Sequence, residues 1–231
     1  MDGTTSKDVT PENNTGGVAP PQRKGFWGKE NLNFSQPWYR LEKSARIIKK
    51  LARGKECTLL DIGCGPATFE RLLPPNIQYY GIDIAIHAPA PNLIEADIIE
   101  TPIRFGDKRF DIIIAQGIFE YVQGVQSQKF AEIAQLMKGD SKFVVSYWNF
   151  GHRNRYVYSA FNNIQTFDSF RKELAQHFNI DRHFPAGHNW GHGEPRRKLI
   201  KAINMHININ IPIVSPMLAV EYYFICSPRG V

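Results

Sequence analysis

The stretch "LLDIGCGPATFE", residues 59–70, places an acidic residue just before two glycines and directly after an apolar run. An apolar run followed by Gly63 and Gly65 is typical of a buried strand that ends in a tight loop. A dinucleotide-binding loop requires a third glycine, but Thr68 occupies that place. Asp61 would also repel a pyrophosphate, whereas its carboxylate can accept hydrogen bonds from an ammonium group. The loop therefore predicts a ligand that carries positive charge.

Strands and helices alternate along the rest of the chain. The predicted strands are "CTLLDIG", "IQYYGIDI", "LIEADI", "FDIIIAQGI", "KFVVSYW", "NIDRHF" and "AVEYYFICS". The predicted helices are "ATFERLLP", "QKFAEIAQLMK" and "DSFRKELAQHF". Strands joined by such crossovers form parallel βαβ units, so the sequence predicts a doubly wound, mostly parallel α/β fold.

The N-terminal part of the chain differs in composition from the rest. Residues 1–24 are rich in Thr, Asn, Gly and Pro and have few large apolar groups, which predicts a disordered tail. Residues 25–54 are expected to form a helical cap, in which Pro37 begins a helix and Gly54 ends it. Residues 55–231 are expected to form the catalytic domain.

Composition restricts the class of protein. A chain of 231 residues that is 42% hydrophobic can bury one sizeable core. The cysteines at positions 57, 64 and 226 form no C-x-x-C pair, which predicts reduced thiols and a cytoplasmic protein. No apolar run approaches the roughly 20 residues of a membrane-spanning helix. The formal charge of +6 suits nucleic acid, an anionic membrane surface or an acidic substrate equally well.

Asp61 to Gly65 resemble the first motif of the class I S-adenosylmethionine-dependent methyltransferases, in which an acidic-x-G-x-G pattern ends the first strand. Three later stretches resemble the family's next motifs in the same order: "YYGIDI", "EADI" and "RFDIIIAQGIFEYV". The resemblance implies a Rossmann-like sheet of seven strands with an antiparallel last strand, and S-adenosylmethionine as cofactor. It covers roughly residues 40–150 well.

The resemblance also implies roles for individual residues. It places Asp83 on the ribose hydroxyls, Asp97 on the adenine amino group and the backbone N–H of Ile98 on a ring nitrogen. Tyr39 or Arg40 could hold the methionine carboxylate, although Tyr39 could equally anchor its helix on the sheet. The implied cofactor set is Tyr39, Arg40, Asp61, Gly63, Cys64, Gly65, Asp83, Ile84, Asp97, Ile98 and Gln116.

Within the class, the chain looks closest to the MetW-like and small-molecule branch. The segments "IDIAIHAPAPNLIEADI" and "VVSYWNFGHRNRY" are similar to that branch between strands two and three and around strand five. Later features of the branch are missing or shortened, so the resemblance implies no particular methyl acceptor.

Residues after the fourth and fifth strands are expected to line the acceptor side of the site. An imidazole suits proton removal, so His152 is the first candidate for a general base, ahead of Glu120, although a loop histidine is more often simply solvated. The candidates for acceptor binding are Trp27, Tyr121, Tyr147, Asn149, His188 and Trp190.

Two further stretches have simpler explanations. The histidines at 183, 188 and 192 lack a zinc-motif spacing, so they are expected to line the pocket without a metal. The basic stretch "EPRRKLIKAINMHI" could meet an anionic surface, but a solvated helix packed over the sheet is the preferred interpretation.

Three functions follow from these observations. The first is a methyltransferase that acts on an O, N or C atom of a small or medium-sized metabolite. The second is a tRNA or rRNA methyltransferase. The positive charge favours it, but the chain has "QGIFEYV" after strand four, where an N-P-P-Y-type sequence would support this function. The third is a cofactor-binding protein that has lost turnover and regulates another enzyme.

Overall fold

The structure is a computed structural model that describes residues 20–30, 39–151, 161–188, 198–199, 202–203, 205–206 and 208–229. Its helices are α1 (Pro20–Glu30), α2 (Tyr39–Ala52), α3 (Gln126–Gln135), α4 (Phe167–His177) and α5 (Val214–Leu218). Its strands are β1 (Cys57–Ile62), β2 (Ile77–Asp83), β3 (Leu93–Glu95), β4 (Phe110–Gln116), β5 (Met137–Trp148), β6 (Phe178–His188) and β7 (Ala219–Pro228). Short 3-10 helices span Thr68–Leu72 and Phe119–Tyr121.

The strands form one seven-stranded sheet in the order β3-β2-β1-β4-β5-β7-β6. Strands β1 to β5 pair in parallel, and β7 runs antiparallel to both β5 and β6. The predicted fold class is confirmed. Strand order reverses between β1 and β4, and ligands of open α/β sheets bind beyond the carboxyl ends of the strands at such a point.

Helices cover both faces of the sheet. On one face α2 buries Ala45 and Ile48, with Leu41 and Leu51 partly buried beside them, as their spacing of three and four residues predicts. On the other face Phe130 of α3 packs against strands β5 and β6 and against α4. Central strands are apolar on both sides because both sides are covered.

Several elements differ in extent from their predicted bounds. Helix α1 begins at Pro20, so it crosses the tail boundary expected at residue 24, because Arg23 gains partners that are remote in sequence. The short helix predicted after β1 is a 3-10 helix that spans Thr68–Leu72. Most of the basic stretch 194–207 lies outside the described residues. No described helix is long and apolar enough to cross a membrane.

Candidate functional site

The glycine loop after β1 is held tightly against β2. The backbone N–H of Gly63 donates to the carbonyl oxygen of Ile82 at 2.8 Å, and the N–H of Cys64 donates to the same oxygen at 3.2 Å. Gly63 has a φ of +78°, and a Cβ there would lie 2.0 Å from the side chain of Ile118. Only glycine fits this turn without strain. The loop therefore leaves its backbone close to the edge where β1 and β4 end.

Asp61 lies beneath this loop and is 6% exposed. Its Oδ2 accepts a hydrogen bond from the Tyr79 hydroxyl at 2.7 Å. Burial raises the pKa of the Asp61 carboxyl to about 7, and the neighbouring Asp83 carboxylate contributes to the rise. A cation that binds nearby would stabilise the ionised form of Asp61. The positively charged ligand that the sequence predicts would have this effect.

Asp83 ends β2 and joins the two strand ends. Its Oδ2 accepts the backbone N–H of Gly65 at 2.9 Å, and its Oδ1 accepts the N–H of Ala85 at 3.1 Å. A carboxylate oxygen can accept more than one hydrogen bond, so the Asp83 carboxylate has the chemistry to accept hydroxyl groups as well. Ile84 follows directly and is half-buried. Asp83 thus shapes the loop and also presents acceptors at the tip of β2.

Cys64 contributes its backbone to this edge, while its side chain packs inward. A Cβ placed on Gly81 would lie 2.7 Å from the Cys64 sulfur, so the sulfur rests on the bare backbone of β2. Burial and the carboxylates of Asp61 and Asp83 hold the pKa of this thiol well above its usual range. Cys64 is therefore a packed, unreactive thiol.

Beyond β3, the carboxylate of Asp97 is already engaged. Its Oδ1 accepts the backbone N–H of Ile99 at 2.9 Å, and its Oδ2 accepts a hydrogen bond from Arg23 at 3.1 Å. The same guanidinium donates to Glu100 at 2.6 Å. Sequence reasoning missed Arg23, since nothing in a polar N-terminal stretch shows which acidic residues it will meet. Ile98, which follows Asp97 in the chain, is half-buried.

Helix α1 crosses the edge of the sheet from β3 towards β4. Besides the Arg23 pair, Lys24 forms an ion pair with Glu95 at the end of β3. A Cβ on Gly28 would lie 3.9 Å from that of Ala85, just after β2. Farther along, the rings of Trp27 and Tyr121 meet edge to face at 4.7 Å, just after β4. Helix α1 therefore contacts residues at the ends of β3, β2 and β4.

Arg40, near the start of α2, lies over the end of β4. Its guanidinium would be 2.9 Å from a Cβ placed on Gly117, which has a φ of +66°. The guanidinium also donates to the backbone oxygen of Gln116 at 3.4 Å. A half-buried cation therefore stands at the β4 end of the edge, opposite the carboxylates of Asp61 and Asp83.

The side chain of Gln116 belongs to a hydrogen-bond network between α2 and the sheet. Its Oε1 accepts from the Ser44 hydroxyl at 2.9 Å, and its Nε2 donates to the Tyr223 hydroxyl at 2.7 Å. Only the backbone of Gln116 is therefore offered to a ligand at the end of β4. The sequence placed the residue at the strand end but could not show that β7 would supply a partner for its amide.

Two carboxylates are buried where β4 and β5 end and β7 begins. Glu120 is 2% exposed, and its Oε1 accepts the backbone N–H of Trp148 at 2.7 Å. Its Oε2 makes no hydrogen bond to the described residues. Glu221, the cross-strand neighbour of Trp148, is 3% exposed. Burial raises the pKa of Glu120 to about 7 and also raises the pKa of Glu221, and the charge of Arg40 opposes both shifts.

Comparison with known protein families shows which family has this sequence. Residues 38–190, about two thirds of the chain, match the profile of a methyltransferase domain. The chain belongs to this methyltransferase family. No curated protein sequence matches it significantly.

Solved structures show the same fold. A TehB-like S-adenosylmethionine-dependent methyltransferase from Corynebacterium glutamicum is 12% identical, with a TM-score of 0.57 over 90% of this chain and 100% of that one. An S-adenosylmethionine-dependent methyltransferase from Clostridium acetobutylicum is 11% identical, with a TM-score of 0.59 over 91% and 99%. A structure of the Haloferax volcanii Trm112 methyltransferase activator in complex contains a chain that is 14% identical, with a TM-score of 0.61 over 92% and 99%.

The residues at the edge of this methyltransferase fit S-adenosylmethionine, the cofactor of the family. The cofactor carries an ammonium, a sulfonium, a carboxylate and a ribose. The carboxylates of Asp61 and Asp83 stand at the β1 and β2 ends, whereas the Arg40 guanidinium stands at the β4 end. Charges of both signs are thus separated along the edge in the way that the cofactor requires.

Aromatic side chains continue from α1 towards the end of β5 in this methyltransferase. Tyr121, which touches Trp27, also lies 5.3 Å from Phe161, whose ring is 5.7 Å from that of Trp148. These four residues, which we call the aromatic wall, come from four separate parts of the chain. The sequence predicts Trp27 and Tyr121 as acceptor-binding residues and places Trp148 at the carboxyl end of a strand, but it does not predict that Phe161 joins them, since this proximity depends on the fold.

Two predicted acceptor residues are used elsewhere. Tyr147 is buried on the opposite face, where its ring stacks on Phe170 of α4 at 4.0 Å and its hydroxyl bonds the backbone of Asn163. Asn149 donates from its amide to the carbonyl oxygens of Pro216 and Ala219. Side chains alternate between the faces of a strand, so Trp148 and Tyr147 cannot both face one ligand.

The remaining candidates lie outside what the structure describes. These are His152, Trp190, His192 and the side chains of Tyr39 and His188. His183 is described, and it packs against Phe167 at 5.4 Å, where burial lowers the pKa of its ring. Among the described residues there is no group of three or more metal-binding side chains.

Proposed function

We propose that this methyltransferase transfers a methyl group to an O, N or C atom of a small or medium-sized metabolite, in the cytoplasm. The observation that carries this proposal is the position of α1, which crosses the ends of β3, β2 and β4 and rests Trp27 on Tyr121. A covered edge of this kind can enclose a small acceptor. It therefore favours a metabolite rather than a nucleic-acid duplex or a folded RNA as the acceptor. The MetW-like branch remains our proposal for the nearest relatives.

We assign the cofactor contacts to the residues at the strand ends. Asp83 accepts hydrogen bonds from the ribose hydroxyls. Asp97 accepts a hydrogen bond from the adenine amino group while it also binds Arg23, and the backbone N–H of Ile98 donates to a ring nitrogen. Arg40, with Tyr39 beside it in the chain, holds the methionine carboxylate. The backbone of Gly63 to Gly65, Ile84 and Gln116 completes the site, and Asp61 balances the positive charge.

S-Adenosylmethionine supplies an electrophilic methyl group on a sulfonium, and in-line displacement needs the acceptor about 3 to 3.5 Å from the methyl carbon. The aromatic wall positions the acceptor and excludes water. His152, ahead of Glu120, removes the acceptor's proton where that proton must leave early. The buried carboxyl of Glu120, whose pKa is raised to about 7, is suited to that step at neutral pH.

Calorimetry tests the cofactor assignment directly. S-Adenosylmethionine and S-adenosylhomocysteine should both bind the full chain, and NADH should not. Release of S-adenosylhomocysteine that depends on an added acceptor then separates an enzyme from a regulatory cofactor-binding protein. Binding of NADH without S-adenosylhomocysteine would overturn the proposal.

The alternative acceptor is RNA, which the charge of +6 favours. Methyl transfer to bulk tRNA or rRNA, with none to metabolite pools, would replace the small-molecule proposal by this alternative. The same assay with Trp27→Ala sharpens the choice. Loss of the aromatic wall should raise KM for an enclosed metabolite, whereas an acceptor bound outside the wall would be unaffected.

A further inference from the structure

One part of the chain combines positive charge with apolar residues and has no place in the methyl-transfer site. Residues 195–220 contain Arg196, Arg197, Lys198, Lys201 and His206 but no aspartate or glutamate. The same residues include twelve large aliphatic or Met side chains. A stretch of 26 residues that lacks acidic groups is unusual in a chain with 22 of them. Its composition therefore suits an anionic partner.

Many of the aliphatic and Met side chains in the described part of this segment are exposed. Seven large hydrophobic residues are exposed among those described, and six of them lie between 199 and 217. They are Leu199, Ile209, Ile211, Ile213, Val214 and Met217. Single exposed hydrophobic residues are common, but a cluster of this kind marks a protein or membrane interaction site.

The fold holds this cluster in place. Asn149, directly after β5, donates to the carbonyl oxygens of Pro216 and Ala219 at 2.9 Å each. The Ser215 hydroxyl accepts the backbone N–H of Ile211 at 2.8 Å. Between these anchors, Ile213 is 78% exposed and has a φ of +69°, which a β-branched residue adopts only under constraint. The apolar side chains are thus presented outward by a hydrogen-bonded loop.

Cations frame the cluster. Arg46 of α2 contacts the His206 ring at 2.6 Å, and Arg182 of β6 donates to the backbone oxygen of Asn208 at 2.9 Å. Lys49 and Lys50 are exposed on the same helix as Arg46. The described residues of this range, 198–199, 202–203, 205–206 and 208–217, together with Arg46 and Arg182, combine basic and aliphatic character, and we call them the basic apolar face.

We propose that the basic apolar face docks this methyltransferase onto the surface of an anionic lipid bilayer. Aliphatic side chains enter the boundary between headgroups and acyl chains, while lysines and arginines contact the lipid phosphates. This inference goes beyond the proposed function and does not depend on it. Asn149 ties the face to the carboxyl end of β5, so docking brings the active-site edge close to the membrane surface.

The residue types favour lipid over other anionic or apolar partners. Protein interfaces draw most of their binding energy from Trp, Tyr and Arg, whereas the exposed apolar side chains of this face are Ile, Leu, Val and Met. Single-stranded RNA is held by stacking of its bases on aromatic rings, and no exposed aromatic residue lies among the described part of the face. Exposed isoleucines would gain nothing from a phosphate backbone.

Vesicle flotation with the full chain tests the proposal. The protein should float with vesicles of phosphatidylcholine and phosphatidylserine, and much less with phosphatidylcholine alone. The combined variant Ile209→Ser, Ile211→Ser, Ile213→Ser should weaken the binding by about tenfold or more, since three aliphatic side chains no longer insert. Arg46→Gln and Arg182→Gln should each weaken it by roughly fivefold at low salt.

Ile164→Ser provides a matched control, because Ile164 is 55% exposed but follows Asn163 on the α4 side of the sheet. This variant should float like the parent, and all variants should keep the thermal midpoint and the affinity for S-adenosylhomocysteine. Vesicle binding that the triple variant retains, or no flotation with either vesicle type, would overturn the proposal. A dimer or an RNA complex that the triple variant abolishes, without vesicle binding, would assign the face to that partner instead.

Discussion

The two halves of the active-site edge are built differently. At the ends of β1 and β2, Asp61, the glycine loop and Asp83 lie within 23 residues of one another and are joined by backbone hydrogen bonds. Beyond β4, the aromatic wall joins Trp27, Tyr121, Trp148 and Phe161, which are spread over 135 residues. The proposed cofactor half is therefore local in sequence, whereas the proposed acceptor half depends on which distant elements the fold brings together.

The largest effect is expected on the acceptor half, to which we assign the proposed general base. His152→Ala should lower turnover by roughly 10² to 10⁴ if His152 removes the acceptor's proton. Glu120→Gln is the comparison variant, because glutamine keeps the acceptor for the Trp148 N–H but cannot take a proton. Single-turnover rates measured between pH 5 and 9 would separate the two residues.

A larger loss in Glu120→Gln than in His152→Ala would move the base to the buried carboxylate. A loss below tenfold in both variants would show that proximity alone drives the transfer. Activity should also survive strong chelation, and recovery of lost activity by a divalent ion would contradict a metal-free site.

On the cofactor half, Asp83→Ala should weaken S-adenosylhomocysteine binding by roughly 10- to 150-fold, because hydrogen bonds to a charged group contribute about 1.5 to 3 kcal/mol. The variant also removes the anchor of the Gly65 N–H. Asp168→Ala is the control, since Asp168 is 85% exposed and its ion pair with Arg171 lies within α4. Calorimetry that finds equal affinity for both variants would show that β2 does not present the ribose contact.

The pH dependence of the free energy of unfolding should differ between variants at the buried Glu120 and variants at an exposed carboxylate. The pKa of Glu120 is raised by burial from 4.5 to about 7, so the folded state favours the protonated form. Its contribution to stability is complete below pH 4.5 and is lost as the pH rises through about 7. Glu120→Gln should therefore gain stability relative to the parent between pH 5 and 8, by about 3 kcal/mol at most.

Urea unfolding without cofactor at pH 5, 6, 7 and 8 measures this difference. Asp168→Asn, on the exposed surface, should show no comparable trend. A stability difference between Glu120→Gln and the parent that does not change with pH would mean that the carboxylate stays ionised, held by Arg40.

The smallest effect concerns α1, which links the two halves. Deletion of residues 1–19 should leave the thermal midpoint unchanged, whereas deletion of residues 1–24 removes Arg23 and Lys24 and should lower it by roughly 2 to 4 °C. Arg23→Ala in the full chain should reproduce most of that shift. Equal midpoints for both deletions would mean that the ion pairs to Asp97, Glu100 and Glu95 contribute nothing measurable.

The position of a residue whose conformation depends on its neighbours in sequence could be predicted. The position of a residue whose partners are remote in sequence could not. Gly63 could be placed because its turn is specified by neighbours in sequence. Arg23 could not, since its partners Asp97 and Glu100 are more than 70 residues away. Tyr147 was expected to bind the acceptor, but its ring packs on α4, and an apolar strand that is buried on both sides carries no alternation of polarity that predicts this packing.

The sequence by itself determined the order of strands and helices, the acidic and glycine residues at the ends of β1 and β2, and hence the class of cofactor. Those features follow from hydrophobic periodicity and turn chemistry, which act over a few residues. The tertiary structure alone decided that α1 covers the edge, that Gln116 turns its amide to Ser44 and Tyr223, and that Ile209, Ile211 and Ile213 face solvent. These features depend on contacts between distant segments, whose energies no local pattern encodes.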